Sequence, residues 1–500
     1  MKTVQSTQQA EQKKRRAART VLLALLSAAC TSFYAQDFDS WDSFDSSSSG
    51  SDFSEGFGTA QQPLSFSGEG ELQSRLYADS PEDDSLPDFP LTATPLAKIG
   101  ILYSAQNIDA DIRLKFEKSI IQDYPQDMID ELTLRGYFGN FKLEAGKMKV
   151  VWGAGDKLHV IDNFNADDYT DFIIPDYIDR RISTPMFRAL YAFEKNNLRL
   201  EGIWTPYMDT DRFATEGMWV PENYSTLKST VTGVVTGWAA DGTPGGLMKA
   251  AQFDEDSLYP DTQKLKYSQA GVRLTGTAGS LDWGVSYYYG HYKQPSADLP
   301  GYIASSGKEL PVLDYDWKQT FGLEAATILW HFNLRGEFAY NLTADTAGDD
   351  PWVRNNSIAW LAGFDIDIPV SNININVQET GTYILNSSKV DDGDGFAAFG
   401  PLQKSLRKHD VDYDEAGYTN NKIVLDVTDS LFNDKIAPEI IVLWGIERGD
   451  VVVQPKIAYK PNGNLTLTLS GMYISCKDED SEFYEWRHNS FVNFGVNCKF

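Results

Sequence analysis

The feature that most constrains this chain is an alternation of apolar and polar residues that begins at Leu64 and recurs to the carboxy-terminus. It is sharpest over Asn107–Lys118. Ile108, Ala110, Ile112, Leu114 and Phe116 share one parity there, and Asp109, Asp111, Arg113, Lys115 and Glu117 share the other. Side chains of a strand point alternately to opposite faces, so this segment has one face suited to lipid and one suited to water. A soluble amphipathic strand could show the pattern once. Its repetition down the chain points to a barrel whose outer face meets a bilayer. No 3.6-residue period displaces it for long, and no stretch is apolar enough for a transmembrane helix.

The pattern predicts an all-β fold: a single antiparallel up-and-down transmembrane barrel of about eighteen strands (16–18), with long extracellular loops. Gly139-Asn140, Lys195-Asn196-Asn197, Ala278-Gly279 and Pro461-Asn462-Gly463-Asn464 read as tight turns, since Gly and Asn tolerate positive φ. If the last strand runs toward the periplasm, all four fall on the periplasmic side. The long connections near 78–94, 153–184, 206–265, 292–316, 342–356, 382–419 and 477–489 then fall outside. Short turns within and long loops without is the outer-membrane pattern.

The last strand, Ser490–Phe500, puts Val492, Phe494, Val496, Cys498 and Phe500 on one face and Asn493, Gly495, Asn497 and Lys499 on the other. It resembles the terminal strand of bacterial outer-membrane barrels, whose closing aromatic residue is recognised by the barrel-assembly machinery. The resemblance implies that Val496, Cys498 and Phe500 form the assembly signal. The other end reads as export. Six bases precede the short apolar run Val21–Ala29, and small residues and then acidic sequence follow, so residues 1–35 read as a secretory signal peptide cut after Ala35. Cys30 closes a shifted lipobox, the alternative cleavage point. Residues 36–62, rich in Ser, Asp and Phe, read as a disordered periplasmic tether, with a docking peptide as the second reading. Residues 63–500 form the barrel. Fewer than thirty residues separate the signal from the first strand, too few for the plug of an active receptor.

The full chain carries a net charge of −27, and −32 remains once residues 1–35 are removed. That excludes nucleic acid as a partner, which needs a basic face. Three cysteines allow no thiolate metal cluster. Cys476 and Cys498 lie at opposite ends of one hairpin, too far apart to bond. Nearly all of the negative charge falls in the long loops and the amino-terminal tail. The inward faces are close to neutral but densely charged, as in Arg199 with Glu201 and Arg335 with Glu337, which suits a water-filled lumen rather than a lipid conduit. Acidic loops gather cations at the mouth over a screening length.

The connection Gly153–Ser183 carries many acids against three bases, with too many apolar residues for a floppy loop. Folded inward it would form a constriction from Asp162, Asp167, Asp168, Asp176, Arg180 and Arg181; folded outward it would be a cap. The W-G-x-G-D…D-N-x-N-x-x-D-Y…P-D-Y-x-x-R-R run from Trp152 to Arg181, with Val424–Asp434, resembles a porin-like family of outer-membrane barrels found in diderm bacteria. Its members mostly lack an assigned substrate, so the resemblance implies a barrel that passes a solute.

Calcium could meet hard oxygen ligands at Asp391, Asp392 and Asp394, or at Asp410, Asp412, Asp414 and Glu415. Leu402 and Asn421 stand where an EF-hand places its twelfth-position Glu, so solvated loops are the favoured reading and no cofactor is expected. Five scattered histidines, with no HExxH, phosphate loop or nucleophile motif, leave little for catalysis. The expected function is a passive outer-membrane channel for a small solute, embedded in outer-membrane lipid. The alternatives are an adhesin or structural barrel acting through its loops, and an outer-membrane hydrolase. The sequence names no solute and no oligomeric state.

Overall fold

A computed structural model describes residues 63–78, 90–171, 177–254, 258–297, 313–348, 353–386, 419–479 and 481–500. The signal and tether segments, Asp176 and both acidic clusters of the 387–418 connection lie outside the described residues.

Eighteen strands form one closed antiparallel sheet. In chain order they are β1 (Leu64–Tyr77), β2 (Leu91–Ser104), β3 (Ile108–Glu117), β4 (Ile129–Phe138), β5 (Phe141–Met148) and β6 (Thr184–Phe193). They continue with β7 (Leu198–Thr205), β8 (Gln269–Ala278), β9 (Leu281–His291), β10 (Trp317–Leu329), β11 (Phe332–Thr343) and β12 (Ser357–Ile368). The ring is completed by β13 (Ile373–Ile384), β14 (Thr419–Thr428), β15 (Ile436–Gly445), β16 (Val451–Asn462), β17 (Leu465–Ser475) and β18 (Phe491–Lys499). Each strand pairs with its sequence neighbours, and β18 closes on β1 from Glu69–Lys499 to Tyr77–Phe491. The last residue takes part: Phe500 and Gly68 exchange both backbone hydrogen bonds, at 2.7 and 2.8 Å. Closure leaves no unpaired strand edge, which a bilayer would not tolerate.

The alternation seen in sequence is the alternation of faces. Outward side chains such as Leu134, Leu323, Leu469, Val492 and Phe494 are exposed, whereas Asp111, Glu144, Glu201, Glu324 and Glu337 point inward and are buried. Exposed aromatics gather at two levels: Trp204, Tyr289, Tyr383, Trp444 and Tyr473 near one rim, Phe66, Phe138, Phe193, Trp330 and Tyr459 near the other. An apolar belt between aromatic rims matches a hydrocarbon layer and its two interfaces.

The tight turns share one rim. Gly139 and Asn197 have φ of 60° and 51°, the left-handed conformation that the turn sequences suggested. The connections 149–183, 206–268, 292–316, 344–356, 385–418 and 476–490 share the opposite rim. Two features of that rim departed from the sequence reading. Between β3 and β4 stands a further connection, holding a helical turn over Lys118–Asp123. The 206–268 connection holds two helices, Glu222–Ala240 and Pro244–Gln252. Val231, Val234, Val235 and Trp238 have helical spacing and pack together. Val, Thr and Gly, poor helix formers, hide that period among β-like residues. Cys476 and Cys498 are not bonded to each other.

Candidate pore and its inward loop

The 149–183 connection does not leave the barrel; it enters it. At its start the Trp152 side chain is fully buried, its indole donating to Glu201 Oε1 at 3.2 Å. Phe164 meets Trp152 edge-on at 5.0 Å and Tyr288 at 5.2 Å. The pair lies against Gly271 of β8, where a Cβ would come within 2.7 Å of Phe164 and 2.8 Å of Trp152. Glycine at 271 is therefore what lets the loop's aromatic anchor reach the wall.

Beyond Trp152 the chain crosses the lumen. Glu337 of β11 accepts backbone N–H groups from Gly155 at 2.7 Å, Val160 at 2.8 Å and Ile161 at 3.4 Å, and meets His159 Nδ1 at 2.9 Å. Gly153 (φ 131°) and Gly155 bring the backbone close enough, since a Cβ at either would strike a neighbouring oxygen. Gln378 of β13 accepts the Lys157 and Leu158 amides, both at 3.3 Å. Asp156 pairs with Arg335 and accepts from Asn376 at 2.5 Å. Lys157 reaches Asp426 of β14 at 3.1 Å and Glu439 of β15 at 3.9 Å. In an eighteen-strand ring β14 stands nine places from β5, so a loop rooted at β5 and β6 is fastened to the far wall.

The return limb packs on the near side. Asn165 Oδ1 accepts the Val150 amide at 2.9 Å, and its Nδ2 donates to Met148 O and Ile182 O. Asp162 and Arg181 pair at 2.7 Å with side chains 1% and 2% exposed. Their charges hold the two limbs together rather than facing an open passage. Burial pushes the Asp162 carboxyl above the usual carboxylate range, against the pull of Arg181. Asp167 lies 3.7 Å from Arg180, whose guanidinium covers Tyr169. Asp168 accepts from Thr170 and lies 3.8 Å from Arg212. Farther on, Asp171 pairs with Arg75 of β1 at 2.6 Å, and Asp179 with Lys98 of β2 at 3.6 Å. Of the six constriction candidates, five are thus brought together around 162–181.

The wall residues named from sequence lie in a belt of ion pairs and hydrogen bonds on the inner wall. Arg113 bridges Asp111 at 3.2 Å and Glu131 at 3.0 Å. Asp109 accepts from Ser104 and Tyr137, and Lys115 lies 3.9 Å from Glu117. Arg188 joins Glu144 to Glu201, and Arg273 holds Glu324 through two bonds of 2.7 Å. Arg199 stands beside Glu201 in the same belt. Arg335 also pairs with Asp365. Sequence parity put these side chains inward. It gave no sign that Glu337, Gln378 and Asp426 are the far anchors of a loop some 180 to 270 residues earlier.

A second cluster links this loop to the next. Asp211 Oδ1 accepts the Asp167 amide at 2.9 Å, and its backbone amide donates to Lys293 O at 3.1 Å. Burial, reinforced by Asp167, raises the Asp211 carboxyl to about 6. Burial, reinforced by Lys318, lowers the Lys293 ammonium to about 7. Over the other half of the mouth Trp219 donates to the Tyr77 hydroxyl at 2.8 Å and packs with Phe483, Trp486 and Phe491. Among the described residues no cluster of three or more His, Cys, Asp or Glu side chains is arranged to hold a metal ion.

No protein-family model matches the chain, and no curated protein does. Solved structures do. Acinetobacter baumannii OccAB4 is 10% identical, with a TM-score of 0.44 over 88% of this chain and 99% of its own. Salmonella typhi OmpF, in complex with daunomycin, is 8% identical, with a TM-score of 0.38 over 87% and 97%. A mutant of Rh. blastica porin is 10% identical, with a TM-score of 0.36 over 87% and 100%. At such identities the likeness concerns the barrel and says nothing of a solute. The fold assignment rests on the strand pairing itself.

Proposed function

We propose that the chain is an outer-membrane channel that passes a small hydrophilic solute by diffusion, without catalysis, and that its 149–183 loop forms the constriction. One observation carries this: residues 153–161 cross a lumen walled by paired charges and are fastened to the opposite strands through Glu337, Gln378 and Asp426. A wall that carries a band of paired charges has no use in a barrel that only displays loops. Asp167, Asp168 and Arg180, partly exposed on the return limb, are the charges a passing solute would meet. On this reading residues 1–35 direct export, 36–62 tether the barrel on the periplasmic side, and the strand ending at Phe500 is what the assembly machinery recognises.

The test is conductance in planar bilayers. The wild-type protein should insert in uniform steps. Glu337→Ala removes the acceptor of at least two loop amides and should release the crossing segment, giving larger and noisier steps. Identical steps from both proteins would show that this loop does not limit flow.

A further inference from the structure

The outward faces of the strands carry almost no charge. Asp130, the bulged residue of β4, and Lys147 share the outward parity, but both lie at the loop-bearing rim and pair there with Lys149 and Asp127. The third is Glu379, and it is not at a rim. It is the seventh of the twelve residues of β13, with Ile373, Ile375 and Val377 outward on one side of it and Gly381 and Tyr383 on the other. Among the described residues its hydrogen-bond donor is the Trp360 indole, whose Nε1 lies 3.1 Å from each carboxyl oxygen. Trp360 achieves this by lying flat on the wall across Gly381, where a Cβ would come within 2.3 Å of the ring. An acidic side chain in the hydrocarbon belt is costly, and one indole N–H leaves most of its acceptor capacity unused.

The surface beside it is shaped. Strand register sets Ala325, Gly336, Ala362 and Glu379 side by side on β10 to β13. The rows above and below hold Phe338 with Trp360, and Leu334 with Phe364. Three small residues between large ones make a shallow trough about 14 Å long at the usual strand spacing, and the carboxyl closes its end.

We propose that this face of β10–β13 docks a second, different membrane protein, whose apolar segment lies in the trough and brings a lysine or arginine to Glu379. Charge complementarity selects that occupant. Among the described residues a second copy of this chain has no basic side chain on its own outward face away from the rim with which to neutralise Glu379. Lipid fills the trough but offers no cation at mid-strand. The proposal needs the outer face to meet lipid but is independent of whether the lumen conducts.

The test places the photoreactive residue p-benzoylphenylalanine at Ala362, and for control at outward Leu469 of β17, in cells that make the protein natively. Irradiation should join position 362 to one polypeptide, within an apolar segment containing Lys or Arg, and position 469 to lipid alone. Glu379→Leu, which suits lipid and should leave a heat-modifiable barrel, should cut the adduct at least about tenfold. Glu379→Lys should abolish it, and exchanging the partner's basic residue for Glu should restore it. An adduct to a second copy, to this chain's own 387–418 segment or only to lipid would overturn the proposal. So would an adduct unchanged by Glu379→Leu. Conductance of Glu379→Leu, expected at wild-type level, reads the channel separately.

Discussion

Two residues show how burial tunes charge where the loops meet. Lys293 has its folded-state pKa lowered from 10.5 to about 7, and Asp211 has its own raised from 3.8 to about 6. For Lys293 the unfolded chain binds the extra proton between about 7 and 10.5, so stability rises with pH across that window. For Asp211 the folded chain holds the extra proton between 3.8 and about 6, so stability falls with rising pH there. Both charges are buried together between pH 6 and 7, and loop packing should be weakest there. Hydrogen exchange at the Asp167 amide, corrected for its intrinsic rate, should show a protection minimum in that interval. Lys293→Met should remove the alkaline limb. A flat profile in the wild type would mean that these groups are hydrated.

At the scale of a strand, β3 separates the two faces. Ile112 points outward, and Ile112→Arg should cost about 2–4 kcal/mol as a charge placed in lipid near mid-strand. Its neighbour is not the free pore charge that alternation alone suggests. Arg113 bridges Asp111 and Glu131, both buried, so Arg113→Ile takes the nearer cation from Asp111, which keeps Arg135 only at 3.8 Å, and removes a bonded one from Glu131. Both changes should lower the urea midpoint of refolded protein; adding Glu131→Gln should recover part of the loss from Arg113→Ile and none of that from Ile112→Arg. Equal recovery in both would place the two side chains on one face. The terminal strand makes the same point for assembly. Phe500 exchanges two backbone bonds with Gly68 and lays its ring over that glycine, so it is the last rung of closure. Deleting Phe500 should reduce heat-modifiable barrel in the membrane while export continues. Normal levels of folded barrel would separate closure from assembly.

For the whole molecule, the negative charge lies mainly in the loops, while the wall is a belt of paired Arg, Lys, Asp and Glu. Loop charges in water are screened over about 8 Å at 0.15 M salt and about 3 Å at 1 M. Cation preference in reversal-potential measurements should therefore be modest at low salt and largely gone at 1 M. Arg180→Gln lies on the lumen-crossing loop beside Asp167, at short range, and should raise cation preference at both concentrations. Strong selectivity unchanged at 1 M in both proteins would put the filter in the wall.

The sequence alone determined the barrel: alternation of Ile108 to Glu117 and its repeats gave the faces, and turn residues gave the antiparallel order and the strand number. These are local properties, because a period of two fixes which side chains share a face whatever the strand packs against. Only the tertiary structure decided where the 149–183 loop goes. Its apolar residues fit a cap or a plug equally well until Glu337, Gln378 and Asp426 are seen to receive it from across the ring. The loop's mix of acids and bases put Asp162 and Arg181 among the pore charges, whereas the fold buries them against each other. Glu379 carried no message in the sequence alone, because Trp360 and Ala362 come beside it only through strand register. Long-range pairing around a closed ring is a property of the whole sheet, and no window of sequence contains it.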